Sequence, residues 1–195
     1  MSRADRGEQL LATAEQVFAE RGYRAASMEE IAERAGVTKP VLYDHFGSKD
    51  GLLAAVVARS GAAIRESTQT AIAAADGPAD ALQRGLRAYF TFIEEHATAW
   101  SVVLTEVEAT SAASAQLDSV RHGLAEFVAE LIAAELPDCD IARARLYAQA
   151  VVGATERLAL HARTDPALTP DVLTDALMDL AWMGLAAVNA GRRWH

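Results

Sequence analysis

Chemistry-bearing side chains are sparse in this 195-residue chain, and where they fall close together they match no catalytic pattern. His122 and Glu126 stand one helical turn apart and His161 lies on a late helix, yet none belongs to a metal or nucleophile motif. Serine, histidine and aspartate occur without a nucleophile elbow or a glycine-rich phosphate loop. Glu106 and Glu108 flank Val107 and read first as a solvated face; turned inward, one of them would select a cationic ligand. Cys139 is the single cysteine, which rules out an intramolecular disulfide framework and a thiolate metal cluster. In a turn after Pro137 it reads as an incidental thiol before a redox sensor. An enzyme is therefore not expected, nor a cofactor or a metal site. The remaining concentration of polar chemistry lies between Ser27 and Lys49, where Thr38, Lys39, Tyr43, Asp44 and His45 follow closely on Gly36. Hydroxyls, ammonium groups and helix-start N–H groups are what meets a phosphate backbone, and polar side chains are what reaches base edges.

The elements that position these residues are legible as helices. Leu10, Leu11, Ala14, Val17 and Phe18 fall on one face of a helix over about Arg6–Glu20, which Gly22 ends by taking the left-handed conformation cheaply. Ser27 and Glu30 have capping-box spacing and open a short helix that turns Ile31 and Ala32 inward. Gly36 suits a tight turn with positive φ, Val37 plugs the angle between two helices, and Thr38 stands at the N-cap of the next. Pro40 in that helix's first turn costs little, because its missing N–H would be unpaired anyway. Leu42 and Phe46 point to the core, which leaves Lys39, Val41, Tyr43, Asp44 and His45 more exposed. Three short helices with a glycine turn between the second and third form the helix-turn-helix pattern. Ser48 then caps a long helix, and further helices follow from Pro78, over about Thr98–Glu108, over Ser111–Glu135, from Asp138 or Asp140 to Arg163, and from Pro170.

Composition agrees on fold class and disagrees on function. The chain is 51% hydrophobic and 23% charged with only 12 glycines and 5 prolines, and no alternating run reads as a strand, so the expectation is an all-α protein of about nine helices. The formal net charge is −9, and residues 1–50 hold seven basic against nine acidic side chains, a local −2. A nucleic-acid binder usually carries a basic footprint. Any grip on DNA must then come from a few placed cations and backbone N–H groups. The amino-terminal residues lead into a charged amphipathic helix, not an apolar signal core, and no uncharged run is long enough to cross a membrane. A cytoplasmic protein without a membrane partner is expected.

Residues 8–57 closely resemble the DNA-binding domain of the tetracycline-repressor (TetR) family of transcription regulators. The residues that carry the resemblance are Phe18 to Tyr23, Ser27 to Ala32, Ala35 to Lys39 and Leu42 to Lys49, in order and with the family's spacing. The resemblance implies a helix-turn-helix domain over residues 1–50 and a larger helical ligand-binding and dimerisation domain over 51–195. It implies that Thr38 and Tyr43 contact phosphates flanking the major groove, that Lys49 pairs with a phosphate beside a helix N-terminus, and that Ser27 is a further phosphate contact. Lys39, Val41, Asp44 and His45 then face base edges, Asp44 being either solvated or an acceptor from a cytosine amino group. Met28 stands where some members of the family place a cation.

For the rest of the chain the family implies a homodimer built from the last two helices, a small-molecule effector, and a near-palindromic DNA operator that a repressor of this type releases when the effector binds. Small and apolar residues suited to such a helix interface are Ala150, Gly153, Ala154, Leu158, Leu177, Leu180, Ala181 and Gly184, although ordinary packing within one chain would use them equally. Phe90, Trp100, Leu104, Phe127, Tyr147 and Val151 are the candidates for lining an effector pocket, with plain core packing as the alternative for each. A second reading, favoured by the acidic head, Met28 and Asp44, is a helical small-molecule-binding or scaffold protein whose head has lost DNA.

Overall fold

In the computed structural model the described residues, 3–97, 111–136 and 139–189, are all-helical. Eight helices are seen among them: α1 (Arg3–Arg21), α2 (Met28–Arg34), α3 (Lys39–Phe46), α4 (Lys49–Ala73), α5 (Pro78–Glu95), α6 (Ser111–Glu135), α7 (Ile141–Ala162) and α8 (Pro170–Asn189). The ninth expected helix, over Thr98–Glu108, lies outside the described residues. None of the described helices is long and apolar enough to cross a membrane.

The chain divides into two compact units, and α4 and α6 each contribute to both. The first unit contains residues up to Ala63 and the start of α6 up to Val120. Its core is the apolar stripe expected for α1, with Leu10, Ala14, Val17 and Phe18 fully buried against Ile31 of α2, Leu42 of α3, and Leu52, Leu53, Val56 and Val57 of α4. Each such side chain removed from water contributes about 1.5–3 kcal/mol before the entropy of ordering it is counted. Met28 belongs to this core as well, at 5% exposure. Its thioether is packing material, so its presence is no sign of a lost cationic contact.

The turns are closed by local chemistry. Gly22, Gly36 and Gly47 all have positive φ. At the end of α2 the Val37 N–H donates to Ala32 O (3.0 Å) and the Gly36 N–H to Glu33 O (3.1 Å), which is the Schellman arrangement with glycine at its left-handed position. The start of α4 is tighter still. Ser48 Oγ accepts from the Gly51 N–H at 3.0 Å. A β-carbon placed on Gly51 would lie 2.2 Å from the Phe46 carbonyl oxygen, so α3 and α4 join this closely only because residue 51 has no side chain.

The second unit contains Ile64–Glu95 and the chain from Arg121 onward. Here α5 packs most extensively on α8. Leu86, Phe90 and Ile93 of α5 are buried, as are Leu173 and Leu177 of α8. Between α6 and α7 the contact is made largely by alanines, with Ala125, Ala129, Ala144 and Ala148 buried together beside Ile132, Leu136 and Cys139. Small side chains one helical turn apart let two helices approach closely, which is where the alanine bias of the sequence goes. Asp140 caps α7 by accepting from the Arg143 N–H at 2.8 Å.

Candidate nucleic-acid interface and an apolar cavity

The outer side of α3 follows from how the helix is anchored. Leu42 is fully buried and Phe46 half-buried, which turns Thr38, Lys39, Pro40, Tyr43 and Asp44 to solvent. Tyr43 is 43% exposed, high for an aromatic residue and inconsistent with a core role. Thr38 has the extended backbone of an N-cap but its hydroxyl makes no capping bond, so it stays available to an outside partner. Lys39 is exposed and has no ion-pair partner among the described residues. Val41 and His45 are half-buried. The His45 ring lies on the α1 side, where Nδ1 would be 4.0 Å from a β-carbon added to Gly7, and it stacks at a tilt on Phe46.

Ser27 caps α2, its Oγ accepting from the Glu30 N–H at 3.1 Å. The return half of the expected capping box is replaced. The Glu30 carboxylate accepts from Arg34 at 2.8 Å and from Arg21 at 3.4 Å, while Arg34 also meets Glu20 at 2.5 Å. Arg59 is held by Glu15 and, at 3.8 Å, by Glu8. Three of the first unit's arginines are thus neutralised internally, whereas Lys39 on α3 and Arg24 in the α1–α2 loop are exposed.

The Lys49 ammonium has partners within the chain. Its Nζ donates to Ala26 O at 2.7 Å and Arg24 O at 3.3 Å, and it stands 4.4 Å above the Tyr23 ring. An ammonium group has three donors, so one is left for a phosphate. Next to it the Tyr23 hydroxyl donates to Asp50. Burial first, then the Asp50 hydrogen bond and its charge, push the Tyr23 phenol well above the ordinary tyrosine range. This knot ties the α1–α2 loop to the start of α4. Tyr23 stands in the family's motif, but no spacing in the sequence pairs it with residues 49 and 50.

Within the second unit a cavity of about 470 Å³ opens among the end of α4 and helices α5 to α8. Phe127 and Val151 line it, as expected; Phe90 and Tyr147 do not. Phe90 is buried in the core with Tyr89 edge-on to it, and Tyr147 packs against the α6–α7 alanines. Trp100 and Leu104 lie outside the described residues. Ile72, Leu86, Tyr89, Leu131 and Trp182 line it as well, none of them among the six candidates.

On α7 and α8 the expected interface residues separate by exposure. Ala150, Gly153, Leu180 and Gly184 are exposed, Ala154, Leu158 and Ala181 half-buried, and Leu177 is buried in its own chain. Leu146 and Met183, which the small-residue pattern passed over, are 71% and 67% exposed beside Leu180 at 73%.

Comparison with known proteins gives the same picture from outside. Residues 10–56 match the family model described as bacterial regulatory proteins, tetR family, and residues 78–184 match that of the tetracyclin repressor-like C-terminal domain. The chain is 32% identical over 194 residues to the HTH-type transcriptional activator FasR of Mycolicibacterium smegmatis, covering 98% of this chain and 88% of the relative. It is 36% identical over 77 residues to the HTH-type transcriptional repressor Rv3405c of Mycobacterium tuberculosis, covering 40% and 38%. Among solved structures, a TetR-like transcriptional regulator from Rhodococcus sp. RHA1 superposes with a TM-score of 0.74 at 33% identity, covering 95% of this chain and 98% of that one.

Proposed function

We propose, for a chain that belongs to the tetR family of bacterial regulatory proteins, a role as a homodimeric transcription regulator that grips a near-palindromic operator and is switched by a small molecule. The observation that carries this reading is the outer side of α3. Thr38, Lys39, Tyr43 and Asp44 all face solvent on a helix anchored by Leu42, directly after the Gly36 turn. Thr38, Tyr43, Ser27 and the remaining donor of Lys49 hold phosphates; Lys39 and Asp44, with Val41 and His45 at the edge, meet bases.

The exposed strip of Leu146, Ala150 and Gly153 on α7 with Leu180, Met183 and Gly184 on α8 supports a dimer, because large apolar side chains left open to water mark association surfaces. Two such heads read half-sites about one DNA turn, roughly 34–36 Å, apart. The cavity in the second unit is the place for the effector, being within the size range of small-molecule sites and mostly apolar. Relatives bear names of both signs, activator and repressor. A dimer seated over a promoter represses it by occlusion, and the same dimer seated upstream can activate, so the sign belongs to the operator's position.

Selection from a random double-stranded DNA pool tests the reading. Enrichment of a palindrome with half-sites one helical turn apart is the expected outcome. A folded dimer that enriches no DNA sequence would instead favour a protein whose head no longer serves DNA.

A further inference from the structure

The polar groups of the cavity are few, and they are not all spoken for. The Thr68 hydroxyl donates to Ile64 O and Arg65 O at 2.9 and 3.0 Å, and the Thr155 hydroxyl donates to Val151 O at 2.7 Å. Those two donors are consumed by their own helices. Glu135, the one carboxylate in the lining among the described residues, is exposed, so water meets its charge. Tyr89 and Trp182 also line the cavity, and neither the phenol hydroxyl nor the indole N–H has a hydrogen-bond partner among the described residues. Both are donors.

The charges nearest Tyr89 are already balanced. Arg121 and Glu156 lie close enough to act on its phenol, and they are joined to each other through two hydrogen bonds, one of them from Nε to Oε2 at 2.9 Å. Neither Arg121 nor Glu156 lines the cavity, so the pair offers a charged ligand no counter-ion there, and carrying a charge out of water into a mostly apolar lining costs far more than one neutral hydrogen bond returns. Burial of the phenol, the largest influence on it, also moves its ionisation above the ordinary tyrosine range, so it remains an O–H donor at neutral pH.

Resting on the reading of this cavity as the effector site, we propose that it selects a neutral, predominantly apolar molecule bearing a hydrogen-bond-accepting carbonyl, and that the Tyr89 hydroxyl is the donor that recognises it. A hydrocarbon would leave the phenol and indole unsatisfied, and the indole N–H, which cannot accept, is met only by a ligand acceptor. Tyr89 is thus the specificity-determining residue of the site.

The test uses the full-length protein and four probes of equal chain length: 2-undecanone, undecane, undecanoate and undecylamine. Affinities come from equilibrium fluorescence titration. The ketone should bind at least about tenfold more tightly than either charged probe. In Tyr89→Phe, which keeps the ring and its packing, the preference for ketone over undecane should fall about five- to tenfold. An unchanged preference in Tyr89→Phe, or undecanoate binding as tightly as the ketone, would overturn this inference and leave the cavity as the effector site. Failure of every probe to bind, or ketone binding that survives filling of the cavity by Leu131→Trp, would overturn the site assignment itself and this inference with it.

Discussion

Lys39 and Lys49 are ten positions apart in sequence and do different work. Lys39 is exposed with no ion-pair partner among the described residues, whereas Lys49 is committed to two backbone carbonyls and the face of Tyr23. Lys39→Ala should therefore weaken operator binding while leaving the unfolding free energy within about 0.5 kcal/mol of wild type, as surface changes do. Lys49→Ala should lower stability by about 1–3 kcal/mol, the range for losing hydrogen bonds to a charged donor, and DNA binding should fall with it. Parallel urea titrations and anisotropy titrations with labelled operator separate the two effects. The phenols supply a pH signature. Because the folded Tyr23 and Tyr89 ionise above the ordinary value, the unfolded chain loses these protons first as pH rises past about 10. Below that pH both states hold the proton and the groups contribute no slope. Above it stability should fall, and Tyr23→Phe should flatten the fall in alkaline urea titrations.

At the scale of elements, the junction of α3 and α4 is the most demanding place in the first unit. With only 2.2 Å between a β-carbon at residue 51 and Phe46 O, Gly51→Ala must push backbone against backbone. A drop of about 1–3 kcal/mol in stability is expected, with a larger drop in operator affinity because α3 itself is displaced. Calorimetry alongside DNA titration would show both. The elements were largely legible in the sequence because their ends are local chemistry: Gly22, Gly36, Ser27 and the Pro170 start each act within a few residues. What was not legible depended on distant partners. The Glu30 carboxylate left its capping role for Arg34 and Arg21, and Lys49 turned to the carbonyls of residues 24 and 26. Nothing in the spacing of residue 30 or 49 distinguishes these choices. The cavity was harder for the same reason: on an apolar stripe, Phe90 and Tyr89 are equally eligible until α8 takes its place, and then only Tyr89 lines the opening.

For the whole molecule, charge and apolar surface act together. A chain of net −9 with much of its first unit's arginine tied to glutamate has little non-specific attraction for DNA. In the proposed reading affinity then comes from two heads acting at once, which would make a dimer essential to operator binding. Leu180→Glu on the exposed strip should convert the dimer to monomer in analytical ultracentrifugation and abolish operator binding, while helix content by circular dichroism stays unchanged. The sequence pattern found this strip only in part, because Leu177 and Leu180 look alike along the helix, yet one is 2% and the other 73% exposed. Whether α3 presents the DNA-reading surface is decided by operator affinity across a salt series, measured for wild type and Tyr43→Ala. The Tyr43 phenol is a neutral hydrogen-bond donor, so removing it costs each head a phosphate contact without changing the number of counterions released. Binding should then weaken for many operator variants alike, with the log–log salt slope kept. An unchanged affinity in Tyr43→Ala would contradict this placement of the DNA face.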